Sequence, residues 1–175
     1  MPHIIEPAAS GRSKCRACAR AIAKAELRFG ECLPNPFADG DMTVWFHLLC
    51  AAYTRPDSLL EILTDADVPA AQINRLVEVA AFSREYERVV RIGGIQLAPS
   101  ARARCRHCRE PIEKDHWRIP VKFFEEGMFN SSGFIHLTCS KEYFGTDAIA
   151  EQIFHFAEDL DSDAQTRIST LLSNA

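Results

Sequence analysis

The sequence contains no long apolar run. Nowhere do about 18 apolar residues follow one another, as a membrane-spanning helix would require. The opening stretch, Met1 to Ser10, also lacks the basic start and apolar core of an export signal. We therefore expect an intracellular protein, in the cytoplasm or nucleoid of a bacterium or in the nucleus of a eukaryote, where cysteines rarely form disulfides.

Segments typical of polymerases, ligases, nucleases or nucleotide-binding domains are also missing. The composition is otherwise ordinary, with 47% hydrophobic and 25% charged residues, so a folded protein is expected rather than a disordered one. We accordingly expect a protein that is not an enzyme.

The sequence has no excess of positive charge, since its formal net charge is −4. Residues 10–53 nevertheless carry six Lys and Arg against four Asp and Glu, and residues 98–144 carry eight against six. The acidic excess lies in residues 51–97, with five against seven, and in residues 145–175, with one Arg against six acids. Local charge governs a phosphate-binding surface more than the total does, so the two basic segments are compatible with nucleic-acid binding.

Six of the seven cysteines fall in two similar motifs. Each motif is a C-x2-C pair, then 28 or 27 intervening residues, then an H-x2-C pair, and the two copies are offset by 90 and 89 residues. Such pairs together supply the four ligands of a tetrahedral metal ion. The predicted ligands of two structural Zn²⁺ ions are Cys15, Cys18, His47 and Cys50 in the first copy and Cys105, Cys108, His136 and Cys139 in the second. The remaining Cys32 is either a small buried residue or a further ligand or reactive thiol.

The repeat predicts two tandem domains, residues 1–94 and 95–175. Domains of about 90 residues have thin cores and often depend on a metal for part of their stability. We expect an α+β fold in which each domain has a small antiparallel sheet, a Cys3His zinc site at its edge and trailing helices. The longest helix of the first half is expected to begin at Pro69 and to continue to Gly93. Its predicted apolar face consists of Ile73, Leu76, Val77, Ala80 and Ala81.

The motifs resemble the DNA-break-sensing zinc fingers found in tandem at the start of poly(ADP-ribose) polymerase and singly in a DNA ligase. The resemblance rests on the ligand frame and on Ser10-Gly11-Arg12, Ile22-Ala23-Lys24, Leu27-Arg28 and Trp45-Phe46-His47. It implies recognition of nicked, gapped or terminal DNA, with a repair enzyme as a further partner. The second half departs from the family pattern at Ala101, where the family favours Gly, and at Phe134, where it has Trp.

Arginine side chains are the predicted phosphate contacts, because the flat guanidinium group suits phosphate oxygens. The resemblance places family DNA contacts at Arg12 and Arg28, and recurrence at the 90-residue offset favours this role over a merely solvated basic face. The full set of predicted arginine contacts is Arg12, Arg16, Arg28, Arg102, Arg104 and Arg118.

Aromatic and methionine side chains in the two loops are predicted to stack on a base exposed at a break. The candidates are Phe37 and Met42 in the first half and Phe123, Phe124, Met128 and Phe129 in the second. Some of them must instead pack the core of so small a domain. A second interpretation also stays open: a zinc-dependent protein-interaction or regulatory module that does not bind DNA and meets its partner through the acidic helical segments.

Overall fold

The chain folds as two units, each with strands and helices. The structure, a computed structural model, describes residues 2–157 and 159–173. The first unit comprises Met1–Glu85 and Phe124–Phe129, and the second comprises Tyr86–Phe123 and Asn130–Ala175. The chain forms two three-stranded sheets and six α-helices in the described ranges, so the predicted α+β class is confirmed. In those ranges, none of the helices combines the length and the hydropathy of a membrane-spanning segment.

The first sheet is antiparallel and has the order β1-β2-β3. Its strands are β1 (Ile4–Pro7), β2 (Leu27–Pro34) and β3 (Asp41–His47), and the helices that follow are α1 (Leu48–Thr54), α2 (Pro56–Leu63) and α3 (Ala70–Glu85). Phe29 of β2 lies opposite Phe46 of β3, and both side chains are fully buried. Leu59, Leu63 and Leu76 add the helices to this apolar core.

A buried carboxylate connects β2 to the beginning of α2. Glu31 accepts hydrogen bonds from Arg55 Nε at 2.8 Å, from Arg55 Nη2 at 2.6 Å and from Ser58 Oγ at 2.6 Å. A carboxylate without solvent exposure requires such partners, because its charge is otherwise poorly solvated. Pro56 then starts α2 at the first helical position, where its missing N–H costs no hydrogen bond.

Helix α3, the longest, differs from its prediction. It begins at Ala70, just after Pro69, and ends at Glu85, whereas it was predicted to continue to Gly93. Its buried residues are Leu76, Val79, Ala80 and Ser83, whereas Ile73 is half-buried and Val77 and Ala81 are exposed. The predicted face was therefore wrong in part. Valine and alanine suit either side of a helix, and the packing of α3 against α1 and α2 selects the covered stripe.

The second sheet has the order β4-β5-β6. Its strands are β4 (Gln96–Leu97), β5 (Trp117–Glu125) and β6 (Met128–His136), and the helices are α4 (Ser140–Phe144), α5 (Ala150–Phe156) and α6 (Ser162–Ser173), with short 3-10 helices at Val89–Arg91 and Leu137–Cys139. The core is built from isoleucines, and its fully buried members are Ile112, Ile119, Ile135, Ile149, Ile153 and Ile168. Ile119 and Ile135 take the repeat positions of Phe29 and Phe46.

Backbone details recur in both halves. Arg16 N donates to Trp45 O at 2.8 Å, and Arg106 N donates to Phe134 O at 2.9 Å. Non-glycine residues with positive φ recur at the 90-residue offset, as Ala19 and Ala25 in the first half and Arg109 and Asp115 in the second. Left-handed backbone costs such residues roughly 1–2 kcal/mol, so its recurrence indicates that the ligand loop requires this geometry.

The second unit begins at Tyr86, ahead of the predicted boundary at residue 94. Val89 and Ile92 are buried, and Val89 O accepts a hydrogen bond of 2.7 Å from Gln152 Nε2 of α5. Because α3 ends at Glu85, the chain after it can pack with the later helices. The predicted ranges follow the sequence repeat, and the units follow packing.

Candidate metal centres and nucleic-acid surface

The first predicted quartet converges at the junction of β3 and α1. Cys15 and Cys18 lie in the turn before β2, His47 ends β3 and Cys50 lies in α1, and their ligand atoms are all within 4.8 Å of one another. His47 Nδ1 is 3.4 Å from Cys18 Sγ and 3.8 Å from Cys50 Sγ. A tetrahedral zinc ion with Zn–S of about 2.3 Å and Zn–N of about 2.0 Å separates S and N by about 3.5 Å. These atoms are thus spaced to share one ion.

The second quartet repeats this geometry. Its four ligand atoms also lie within 4.8 Å of one another. His136 Nδ1 is 3.3 Å from Cys108 Sγ and 3.8 Å from Cys139 Sγ. Both predicted quartets therefore form, and each fits one zinc ion.

Backbone carbonyls orient the two histidine ligands. His47 Nε2 lies 3.2 Å from Ala21 O, and His136 Nε2 lies 3.0 Å from Pro111 O. A hydrogen bond to a carbonyl places the proton on Nε2, which leaves the Nδ1 lone pair directed at the thiolates. Cys105 Sγ additionally accepts a hydrogen bond of 3.3 Å from the His136 backbone N–H.

The protein groups of each quartet carry strong mutual electrostatic effects. Hydrogen bonding to the sulfurs of Cys15 and Cys18 raises the pKa of His47 to about 10. In the second quartet, burial and then the negative charge of Cys105 raise the pKa of Cys139 to about 12. A zinc ion offsets these raised pKa values, because it binds thiolates and a neutral imidazole and displaces their protons.

The two metal centres are structural. Three thiolates and one imidazole complete a tetrahedral shell and leave no position for water or a substrate. Cys32 is outside both quartets; it pairs with Thr43 in the sheet, and its backbone N–H donates to His3 Nδ1 at 3.1 Å. It is therefore a ligand of neither centre.

Two of the predicted arginine contacts are engaged inside the fold. The Arg28 guanidinium lies 3.5 Å from the Trp45 ring centroid and donates to Glu6 Oε1 at 2.6 Å, which leaves its side chain 11% exposed. Arg118 lies 3.6 Å from the Phe134 ring centroid and is 6% exposed, and this burial lowers its pKa. Phenylalanine thus keeps the cation–π contact where the first half uses tryptophan.

The other four predicted arginines are exposed, namely Arg12, Arg16, Arg102 and Arg104. Within the described ranges, the side chains of Arg12 and Arg16 form no hydrogen bond or ion pair. Arg106 is also exposed, and its Nη1 donates to the backbone and side-chain oxygens of Ser132. Arg106 was missed as a candidate, although the repeat offset relates it to Arg16.

Phe37 is the most exposed of the predicted stacking residues. Its side chain is 83% exposed in the six-residue loop between β2 and β3. Phe37 N donates to Asn35 Oδ1 at 2.9 Å, and Asn35 N donates to Gly40 O at 3.0 Å, which holds the loop in a defined turn. Met42, at the start of β3, is half-buried.

The stacking candidates in the second hairpin, formed by β5 and β6, are placed differently. Phe124 and Phe129 belong to the first unit, where their ring centroids are 4.8 Å apart and lie 6.1 Å and 6.4 Å from that of Phe46. Both are half-buried. Met128 lies between them in sequence and is 48% exposed.

The two Cys3His centres, each next to a small antiparallel sheet, define a zinc-stabilised module. Residues 6–85 match the family described as the poly(ADP-ribose) polymerase and DNA-ligase Zn-finger region. The match includes the ligands of the first centre, Cys15, Cys18, His47 and Cys50, and it agrees with the resemblance that the motifs indicated.

Similar proteins include several poly(ADP-ribose) polymerases. The polymerase of Drosophila melanogaster is 27% identical over 68% of this chain, and polymerase 1 of Oryza sativa subsp. japonica is 30% identical over 76% of it. Polymerase 1 of Caenorhabditis elegans is 46% identical over 29% of the chain. The matches span 13%, 14% and 5% of these relatives' own lengths, so they concern the zinc-finger region and no catalytic domain.

Proposed function

We propose that this chain recognises breaks in duplex DNA by combining phosphate contacts with stacking on an exposed base. The observation that carries the proposal is Phe37, a ring 83% exposed on a loop held by hydrogen bonds in a finger of this family. An apolar ring exposed to water gains free energy by stacking on a base, and a nick or end provides an uncovered base face.

Exposed arginines supply the second part of the proposed interface. Arg12 and Arg16 flank the first zinc ligand, and Arg102 and Arg106 occupy the matching places in the second half. Phosphate contacts of this kind provide affinity without reading sequence. The protein would therefore act inside the cell at damaged DNA of any sequence, and a repair enzyme acting at the same break would be its partner.

A comparison of two DNA circles tests the proposal. Zinc-loaded protein is titrated, at low salt, into a relaxed closed circular duplex and into the same circle carrying one nick, and binding is followed by mobility shift. We expect tighter binding to the nicked circle and no dependence on the sequence around the nick. Equal affinity for both circles would contradict break recognition.

A complete failure to bind either circle at micromolar protein would favour the second interpretation, a zinc-dependent protein-interaction module. The observation favouring that alternative is the acidic character of the terminal helical segment, where residues 145–175 carry one Arg against six acids.

A further inference from the structure

We infer that the second unit contains a binding site for a small organic cation with an apolar body. The site is a cavity of about 280 Å³ between the start of β5, the 3-10 helix Leu137–Cys139 and the end of α6, and all its lining residues belong to the second unit. The inference is independent of DNA binding, because none of the arginines proposed to contact DNA lines this cavity.

Three apolar side chains line the cavity, namely Trp117, Leu137 and Leu171. Leu137 is buried, whereas Leu171 is 43% exposed, so the cavity is open to solvent beside α6. Its volume is near the lower end of small-molecule pockets, which begin at about 300 Å³, and it admits one ring with a short chain. A ring in this position would remove apolar surface from water.

Polar side chains at the same cavity have free hydrogen-bonding capacity. The imidazole of His116 and the hydroxyl of Thr138 are exposed and form no hydrogen bond or ion pair within residues 2–157 and 159–173. The Asp115 carboxylate is also exposed, and its one ion-pair contact in those ranges, with Lys114 Nζ, is long at 4.0 Å. These groups can therefore bind a ligand without breaking a contact that the fold depends on.

The charge at the cavity favours a cation. Asp115 contributes a negative charge, whereas the basic residues Lys114 and Arg167 are not among those that line the cavity. His136 also lines it and belongs to the second metal centre, whose three thiolates outweigh the double charge of a zinc ion. The indole ring of Trp117 adds a face that attracts cations. An ammonium or guanidinium group attached to an apolar body fits all of these features.

The repeat shows that the finger fold does not require these side chains. The first half has Ala, Glu and Leu at residues 25–27, where the second half has Asp115, His116 and Trp117. Both halves nevertheless form a three-stranded sheet beside a Cys3His quartet. The three residues of the second half are therefore available for a role other than folding.

Nuclear magnetic resonance titration of the zinc-loaded protein tests the site with phenethylammonium, its neutral analogue 2-phenylethanol and the anion phenylacetate. A probe of about nine non-hydrogen atoms should bind with a dissociation constant on the order of 1 mM. We expect phenethylammonium to shift the Trp117 indole and Thr138 amide signals, 2-phenylethanol to bind roughly 3- to 10-fold more weakly, and phenylacetate to bind more weakly still. The Trp45 indole, in the first unit, is the internal control and should not shift.

Variants at the cavity have matched controls. Asp115→Asn removes the charge and keeps a residue type that tolerates the positive φ of 62° at this position. It should remove the preference for the cation and change 2-phenylethanol binding by less than about twofold. Asp163→Asn, which removes an exposed acid from the first turn of α6, should change neither affinity. Trp117→Leu should weaken both probes, and Leu27 at the matching position indicates that the finger accepts leucine there.

The capped dipeptide acetyl-leucyl-argininamide distinguishes two sources of the cation. Tighter binding of the dipeptide than of phenethylammonium would assign the site to a basic side chain of a partner protein, and the reverse order would assign it to a free amine; both orders support a cation site. The inference is wrong if no probe shifts the Trp117 signal, if phenylacetate binds at least as tightly as the cation, or if Asp115→Asn keeps the cation preference. Because no probe contains nucleic acid, these outcomes are separate from those that test break recognition.

Discussion

At the scale of single residues, the arginines predicted to contact DNA divide into two groups, exposed and engaged within the fold, which the sequence alone does not distinguish. Arg12 is exposed and its side chain has no hydrogen bond or ion pair among the described residues, whereas Arg28 lies between Glu6 and the Trp45 ring. A guanidinium group held between a carboxylate and an aromatic ring contributes to the stability of the fold. The phosphate-binding role predicted for both residues therefore stays better supported for Arg12.

Stability measurements distinguish these roles. Arg28→Ala removes the ion pair, the cation–π contact and a hydrogen bond to Ser13 Oγ, and should lower the free energy of unfolding by about 1–3 kcal/mol. Arg12→Ala should change it by less than about 0.5 kcal/mol. Urea unfolding of both zinc-loaded variants measures the difference. Equal stability of the two would show that the Arg28 contacts contribute little.

Glycine positions give a second contrast at this scale. A Cβ on Gly30 would lie 2.7 Å from Trp45 Cζ3 and 2.8 Å from Ile4 Cγ2, whereas a Cβ on Gly11 would meet only Lys24 N at 3.8 Å. Gly30→Ala should therefore destabilise the first unit by about 1–3 kcal/mol through overpacking, and Gly11→Ala should be nearly neutral. Thermal unfolding of the two variants measures this. A neutral Gly30→Ala would mean that the Trp45 ring moves at no cost. The space at Gly11 also explains why the second half accepts Ala101 at the matching position.

At the scale of elements, each zinc centre joins a turn, the end of a strand and a helix. Cys15→Ala leaves three ligands where zinc needs four, and binding at such sites contributes on the order of 10 kcal/mol to folding. The variant should bind one zinc ion per chain and lose the ordered first finger. Elemental analysis and hydrogen exchange measure these effects, and a variant retaining two ions would contradict the ligand assignment.

The two centres should also differ in how easily they lose zinc. Cys15 and Cys50 are buried in the first centre, whereas Cys108 is exposed and Cys139 half-buried in the second. A chelator or acid therefore reaches the second set of thiolates more readily, and we expect the second zinc ion to be released first. Zinc release from the wild type, timed with a chelating dye, should be biphasic. The fast phase should be absent from Cys108→Ala and preserved in Cys15→Ala.

The zinc ligands and the α+β class could be predicted because ligand identity and spacing are explicit in the sequence. The placement of Arg28 and Phe129 could not be predicted in the same way. Cross-strand neighbours decide whether an arginine is sequestered, and a two-residue turn decides whether a hairpin projects a ring; both depend on register. The end of α3 at Glu85 likewise followed from packing, since no glycine or proline marks it.

At the scale of the whole molecule, the charge distribution makes a quantitative prediction about DNA affinity. Each phosphate contact releases counterions, so the logarithm of affinity should fall roughly linearly with the logarithm of salt concentration. Arg12→Ala should weaken binding to all duplexes and reduce the magnitude of this slope by about one unit. Arg167→Ala is a matched control, because it removes an exposed arginine from the acidic terminal segment and should leave the slope unchanged.

The two slopes separate a localised interface from a diffuse one. If the zinc segments form the DNA surface, Arg12 contributes to the counterion release and Arg167 does not, and the net charge of −4 does not prevent binding. If both substitutions reduce the slope equally, affinity depends on overall charge and the Arg12 contact is wrong. Phe37→Ala should leave the slope unchanged while lowering affinity for nicked DNA, because base stacking releases no counterion.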